Sequence, residues 1–168
     1  MKKFLLALAV LGATAISSFA QTTSGTGKFS IGVDAALPLG TASDVYSSGF
    51  GISLKYEVPI AINTDVTFSG GYEAFIVKSD VKNAFGTKSS YGFVPIKAGL
   101  KYYFNQGFFG EAQLGAAFST ESGGGTAFAY SPGIGYTFTS GFEAGVRYEG
   151  WSKDGTFDQV ALRLAYRF

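Results

Sequence analysis

From about Lys28 to the last residue, apolar positions alternate with small or polar ones at a period of two. The final nine residues show it most cleanly. Val160, Leu162, Leu164, Tyr166 and Phe168 are apolar or aromatic, whereas Ala161, Arg163, Ala165 and Arg167 are small or charged. Successive side chains of a strand point to opposite faces, so this stretch has one greasy face and one polar face. The greasy face is unbroken and ends in an aromatic at the carboxyl terminus, as expected where that face meets lipid. Taken alone, the stretch also fits an ordinary edge strand.

The same pattern predicts seven further strands. Strand one covers about Lys28 to Leu37, strand two Gly49 to Val58, strand three Asp65 to Val77 and strand four Tyr91 to Phe104. Strand five covers about Phe108 to Phe118, strand six Ala127 to Phe138 and strand seven Phe142 to Gly150. At roughly 9 to 13 residues each, they suit tilted crossings of a bilayer. Pro38 to Ser48 reads as a loop and Pro59 to Thr64 as a turn, and Lys78 to Ser90 reads as the longest loop. Asn105-Gln106-Gly107 and Thr139-Ser140-Gly141 are tight hairpin signals, and Ser119 to Thr126 is a glycine-rich loop. Connections after even strands are short and those after odd strands mostly longer. That asymmetry predicts short periplasmic turns, longer outer loops and both termini in the periplasm.

A hairpin repeat reinforces this reading. Each even strand ends in an apolar-x-Tyr-x-apolar pattern centred on Tyr56, Tyr102, Tyr136 and Tyr166, and the odd strands open with Phe29, Val66, Phe108 and Phe142. Together they predict an aromatic belt at one interface, where amphipathic rings are favoured. The fold expected is all-β: an eight-stranded antiparallel up-and-down transmembrane β-barrel occupying residues 28–168.

The N-terminal region reads differently. Lys2 and Lys3, an apolar run from Phe4 to Ile16 and Ser18-Phe19-Ala20 match a secretory signal peptide over residues 1–20, with cleavage between Ala20 and Gln21. The apolar run is short for a membrane anchor. Residues 21–27 are small and polar and read as a flexible lead-in. Removing Lys2 and Lys3 takes the formal charge from +1 to −1, which gives no reason to expect nucleic acid. With Cys 0 and His 0, a disulfide scaffold, Cys-ligated metal and the commonest acid/base group are all excluded.

A soluble lipocalin-type barrel would show charge on strand exteriors, but here the strand charges lie on the parity opposite the aromatics, and such dense aromatic rows would be sticky in water. No apolar run long enough for a spanning helix follows residue 20. The signal peptide, the Pro95-to-Phe104 stretch, Gly133-Ile134-Gly135-Tyr136-Thr137-Phe138 and the terminal Tyr166-Arg167-Phe168 resemble the small outer-membrane barrels of the OmpA/OmpX type. More broadly, the chain is similar to the outer-membrane β-barrel domain family common in Gram-negative bacteria. The resemblance implies an outer-membrane location, lipid and lipopolysaccharide as surroundings, a monomer, and Leu164, Tyr166 and Phe168 as the signal read by the barrel assembly machinery. It leaves function and any surface ligand open, because the family is functionally mixed. Pro95 and Pro132 depart from the pattern by falling inside strands, where bulges near the outer rim would accommodate them.

The candidate chemistry lies on the inward face. It carries Lys28, Lys55, Lys97, Lys101, Arg147, Arg163 and Arg167 against Asp34, Glu57, Glu73, Glu111, Glu143 and Glu149. These residues suit an ion-conducting lumen, a paired-carboxylate site or a plug of ion pairs. The interior of eight strands is just wide enough for side chains, and an unpaired buried charge is costly, so the near-balance of signs favours the plug. No spacing suggests Ser/Lys or carboxylate-only catalysis, so the expectation is a non-enzymatic barrel with a structural or surface-interaction role, without cofactor. A narrow channel for small or apolar solutes is the alternative. Gly123-Gly124-Gly125 follows no βαβ unit and reads as a flexible loop rather than a phosphate cradle. Trp151 reads as an interfacial aromatic rather than a ligand contact.

Overall fold

The computed structural model describes residues 26–168. The expected signal peptide and most of the lead-in lie outside the described residues. Eight strands follow in sequence order: β1 (Lys28–Leu39), β2 (Tyr46–Ala61), β3 (Thr64–Val77), β4 (Ser90–Tyr103), β5 (Phe108–Ser119), β6 (Thr126–Thr137), β7 (Phe142–Ser152) and β8 (Thr156–Arg167). Each pairs antiparallel with its neighbours, and β8 returns to β1, so the sheet closes into an up-and-down barrel with no free edge. Closure leaves no strand-edge amides to be satisfied by solvent, which a bilayer cannot supply.

Alternation decides which face goes where. Along β1, Ser30, Asp34 and Ala36 are buried inside, whereas Ile31, Val33 and Leu37 are exposed outside. The exterior is therefore apolar: Val33 is 57 % exposed, Ile52 62 % and Leu114 59 %. An apolar exterior of this extent suits lipid and not water. At the end carrying the short turns, the aromatic repeat forms a belt. Phe29 stands opposite Tyr56, Phe108 opposite Tyr136, and Phe142 opposite Tyr166 in register. A second group of outward rings, Phe128, Tyr130 and Tyr148, lies toward the loop end. There the Tyr148 hydroxyl donates to Asp158 at 2.5 Å.

The turns follow their residues. Asn105 Oδ1 accepts from the amides of Gly107 (3.2 Å) and Phe108 (2.9 Å), closing the β4–β5 hairpin with an Asx turn. Asn63 takes the left-handed conformation, φ 59°, in the β2–β3 turn, a residue type that tolerates it. In the wall, a Cβ on Gly99 would lie 2.0 Å from the Ala112 carbonyl oxygen, so the close approach of β4 and β5 requires glycine there.

The structure departs from the sequence expectation in three local respects. First, Lys78 to Ser90 is not featureless. It holds a helix, α2 (Ser79–Phe85), closed by Gly86 in the left-handed conformation, while the first long connection holds a single turn, α1 (Ala42–Val45). Second, Pro95 and Pro132 do not mark bulges. The β3–β4 register continues unchanged from Gly70↔Ile96 to Glu73↔Phe93, and β6–β7 from Tyr130↔Gly150 to Gly133↔Arg147. Each proline removes an amide hydrogen, so two ladder pairings are missing on one side only and the strand runs straight through. The irregularities fall elsewhere, on β2 at Tyr46/Ser48 and Pro59/Ala61. The first of these turns Tyr46 into the lumen although the even residues of β2 face out. Third, Trp151 is not at a lipid interface but inside the barrel, 3 % exposed. β7 continues to Ser152, and odd parity sends Trp151 inward behind Arg147 and Glu149.

Candidate functional site: the lumen and its mouth

Of the charged residues expected on the inward face, Lys28 is exposed at the start of β1, and the other twelve project into the barrel from seven of its eight strands. Only β6 contributes none, and its lumen face carries Ser131, Gly133 and Gly135 instead. Among the described residues, each of the twelve has an oppositely charged partner. Arg147 is the most connected. Its Nη1 meets Asp34 Oδ1 at 2.6 Å, its Nη2 meets Glu73 Oε1 at 3.0 Å, and its Nε meets Glu149 Oε2 at 2.7 Å. Lys97 shares Glu149 at 2.6 Å. Glu143 collects three cations: Lys55 at 3.5 Å, Arg163 at 3.3 Å, and Lys101. Lys55 also meets Glu111 at 2.6 Å, and Lys101 meets Glu57 at 2.7 Å. Arg167 reaches Glu57 at 3.5 Å and donates to the Tyr103 hydroxyl at 2.8 Å.

These contacts form one continuous path along the barrel axis. It runs from Arg167 through Glu57, Lys101 and Glu143 to Arg163. Arg163 Nε donates to Ser53 Oγ at 2.9 Å, and that hydroxyl donates to Asp34 at 2.5 Å. From Asp34 the path continues through Arg147 to Glu149, which accepts the Trp151 indole N–H at 2.8 Å. In a low-dielectric interior each of these charges needs a partner within hydrogen-bond reach, and the path supplies one at every step. Between the side chains a cavity of about 50 Å³ remains, lined by Lys55, Glu73, Lys97, Glu111, Arg147 and Arg163 among others. It has room for a few isolated waters.

Parity also places residues that sequence reasoning passed over. Asp65 is buried on β3, in register with Lys101. Gln159 donates to Glu73 at 3.3 Å, whereas Gln113, inward-facing as the alternation predicts, donates to Thr67 at 3.0 Å. Gln159 lies before Val160, where the eighth strand was expected to begin. Carrying the alternation one residue upstream reaches it.

Above the ion pairs, at the loop end, the lumen turns aromatic. Phe75 packs edge-on to Trp151 at 5.6 Å and to Phe157 at 4.8 Å, and Phe157 stacks on Trp151 at 5.3 Å with 20° between the rings. Phe93 and Tyr46 complete the cluster. The loops over it are tied together. Lys88 of the β3–β4 connection pairs with Glu121 of the β5–β6 connection, and the Lys153 ammonium donates to the Gly124 carbonyl at 3.2 Å. The Glu121 carboxylate raises the Lys88 amine above its ordinary value. Among the described residues, no group of three or more acidic side chains is placed to hold a metal ion.

Comparison with known proteins places this architecture. The family model described as "Outer membrane protein beta-barrel domain" matches residues 6–168. The chain belongs to that family. Membership puts this outer-membrane barrel in the bacterial outer membrane, with the apolar exterior against lipid. Similar solved structures show the same fold. Ail, the attachment invasion locus protein of Yersinia pestis, is 19% identical, with 87% of this chain and 100% of Ail covered and a TM-score of 0.60. The N-terminal barrel domain of Pseudomonas aeruginosa OprF is 14% identical over 85% of this chain and 100% of that domain, with a TM-score of 0.55. The outer membrane enzyme PagL is 16% identical over 83% of this chain and 98% of PagL, with a TM-score of 0.57. None of the curated proteins compared is a match. The same fold thus carries an attachment protein and an enzyme, and the fold alone decides neither.

Proposed function

We propose that this outer-membrane barrel is non-enzymatic, that its lumen is closed by its own ion pairs, and that its structural or surface-interaction role is carried by the loop end. The observation that carries the reading is the unbroken path from Arg167 to Trp151, whose four cations and four carboxylates, with Lys55, Lys97, Glu73 and Glu111 branching from it, form one network of six cations and six carboxylates. Pairing holds these side chains across the axis and leaves no continuous water column. The hydroxyls nearest the charges are already engaged: Ser30 and Ser53 both accept from Arg163. No histidine exists in the chain to activate one.

In this reading the end with both termini and the short turns faces the periplasm, and the four longer connections face outward. Lipid and lipopolysaccharide surround a monomer. The assembly machinery reads Leu164, Tyr166 and Phe168, whose exposed row remains available on β8. The test is electrical. Purified, refolded wild-type protein in planar bilayers is expected to give no steady conductance. Steady, ion-selective steps would overturn the closed lumen and establish a narrow channel in its place.

A further inference from the structure

The mouth at the loop end holds a pocket that the ion network does not use. It has a volume of about 410 Å³, within the usual range for small-molecule sites. Its floor is aromatic: Phe93 and Phe157 lie over Trp151. The floor is also held in place, because Phe157, the cross-strand neighbour of Trp151, stacks on it and the Trp151 indole N–H donates to Glu149. Its walls are small, Ala42, Ala117 and Ala127, so the opening above the rings is left free.

The rim is polar and unlike the rest of the barrel. Lys153 and Asp154 stand side by side on the β7–β8 connection, and neither forms an ion pair among the described residues. Gly124 and Gly125 present bare backbone, and Ser119 and Thr156 add hydroxyls. Gly125 has φ +78°, and a Cβ there would lie 2.4 Å from the Lys153 ammonium. The glycine run therefore makes room for a cation at the rim. An aromatic floor, with Phe93 and Phe157 tilted 39° to each other, below donor and acceptor groups at the rim matches a ring with apolar C–H faces and a hydroxylated edge.

We propose that the mouth binds a neutral saccharide ring. Its C–H face lies on Phe157, with Phe93 tilted beside it at 39°, while its hydroxyls accept from Lys153 and donate to Asp154. An anionic ligand would face the Asp154 carboxylate. A purely apolar one would displace water from the Asp154 carboxylate without replacing its hydrogen bonds, which is costly. This inference rests on the proposal that the loop end does the protein's work, and it adds the class of ligand.

Trp151 is the chain's single tryptophan, so its emission reports on the floor directly. The refolded full barrel, in a zwitterionic detergent without a sugar headgroup, is titrated with maltose, N-acetylglucosamine, glucose 6-phosphate and decanoate. A saturable emission change is expected with a neutral sugar at millimolar concentration. Asp154→Ala, on an exposed loop, should weaken it about fivefold, the worth of one hydrogen bond. Phe157→Leu should weaken it further. No saturable change with either neutral sugar overturns the proposal, as does a response confined to decanoate or glucose 6-phosphate. An unaltered response in both variants places the sugar elsewhere and overturns it too. The bilayer recording reads the lumen and this titration reads the mouth, so failure of one is distinguishable from failure of the other.

Discussion

Arg147 shows how the interior is stabilised residue by residue. Its guanidinium spans three carboxylates contributed by β1, β3 and β7, 113 and 74 residues away in sequence and two residues away on its own strand. Asp34 and Glu149 have other donors, Ser53 for the first and Lys97 with Trp151 for the second. Among the described residues, Glu73 has only Gln159 besides, at 3.3 Å. Arg147→Met should therefore strand Glu73 most severely and cost about 3–5 kcal/mol, the usual result of breaking a buried pair from one side. Arg147→Met with Glu73→Gln should cost less than Arg147→Met alone, because the stranded charge is gone. Urea unfolding of both variants in lipid vesicles measures the difference, and equal costs would contradict the pairing. Parity alone showed that these twelve side chains share one face, since the period of two is local. It did not show which cation meets which acid, because the partners are set by strand tilt and closure between distant segments. Trp151 and Gln159 were missed for a simpler reason. Trp151 lies one residue beyond the clean alternation of β7, and Gln159 one residue before that of β8.

At the scale of elements, β8 carries the closure. It pairs with β7 along its whole length and with β1 from Ser30↔Arg167 to Leu39↔Asp158. The Phe168 amide donates to the Phe29 carbonyl at 2.8 Å, and the Phe168 ring, 70 % exposed, meets Tyr166 edge-on at 5.2 Å. Phe168 thus adds little burial to the finished barrel and is available to be read during assembly. Deleting it, or Phe168→Asp, should abolish the heat-modifiable, detergent-resistant form in cells. The form persisting at normal yield would show that the terminal row is not an assembly signal. Strand existence and face were legible because eight greasy rows cannot be hidden in a polar chain. Both helices were illegible, because four and seven residues are too few to show an apolar period of 3.6. The bulge at Tyr46/Ser48 was hidden too. It is a one-residue shift with no glycine or proline between Tyr46 and Ser48 to announce it.

At the scale of the molecule, the barrel is polarised along its axis as well as from inside to outside. One end has both termini, turns as short as Ile62-Asn63 and a dense aromatic belt. The other has two helices, glycine-rich backbone and an aromatic cap over the charged lumen. From this asymmetry we propose a single insertion direction, because loops bearing Lys78, Asp80, Lys82 and Asp154 cost more to carry across hydrocarbon than tight turns do. The order of events proposed is export, removal of residues 1–20 after Ala20, and insertion with the loops outward. Mass spectrometry of the mature protein should find Gln21 at its start. Orientation can be read separately, because the chain has Cys 0 and single cysteines can be introduced cleanly. Ser122 lies in the β5–β6 loop and Ser140 in the β6–β7 turn, and both are exposed. In intact cells a membrane-impermeant maleimide should label Ser122→Cys and spare Ser140→Cys. After the outer membrane is permeabilised it should label both. The reverse pattern would invert the barrel and remove the loop end from the cell surface.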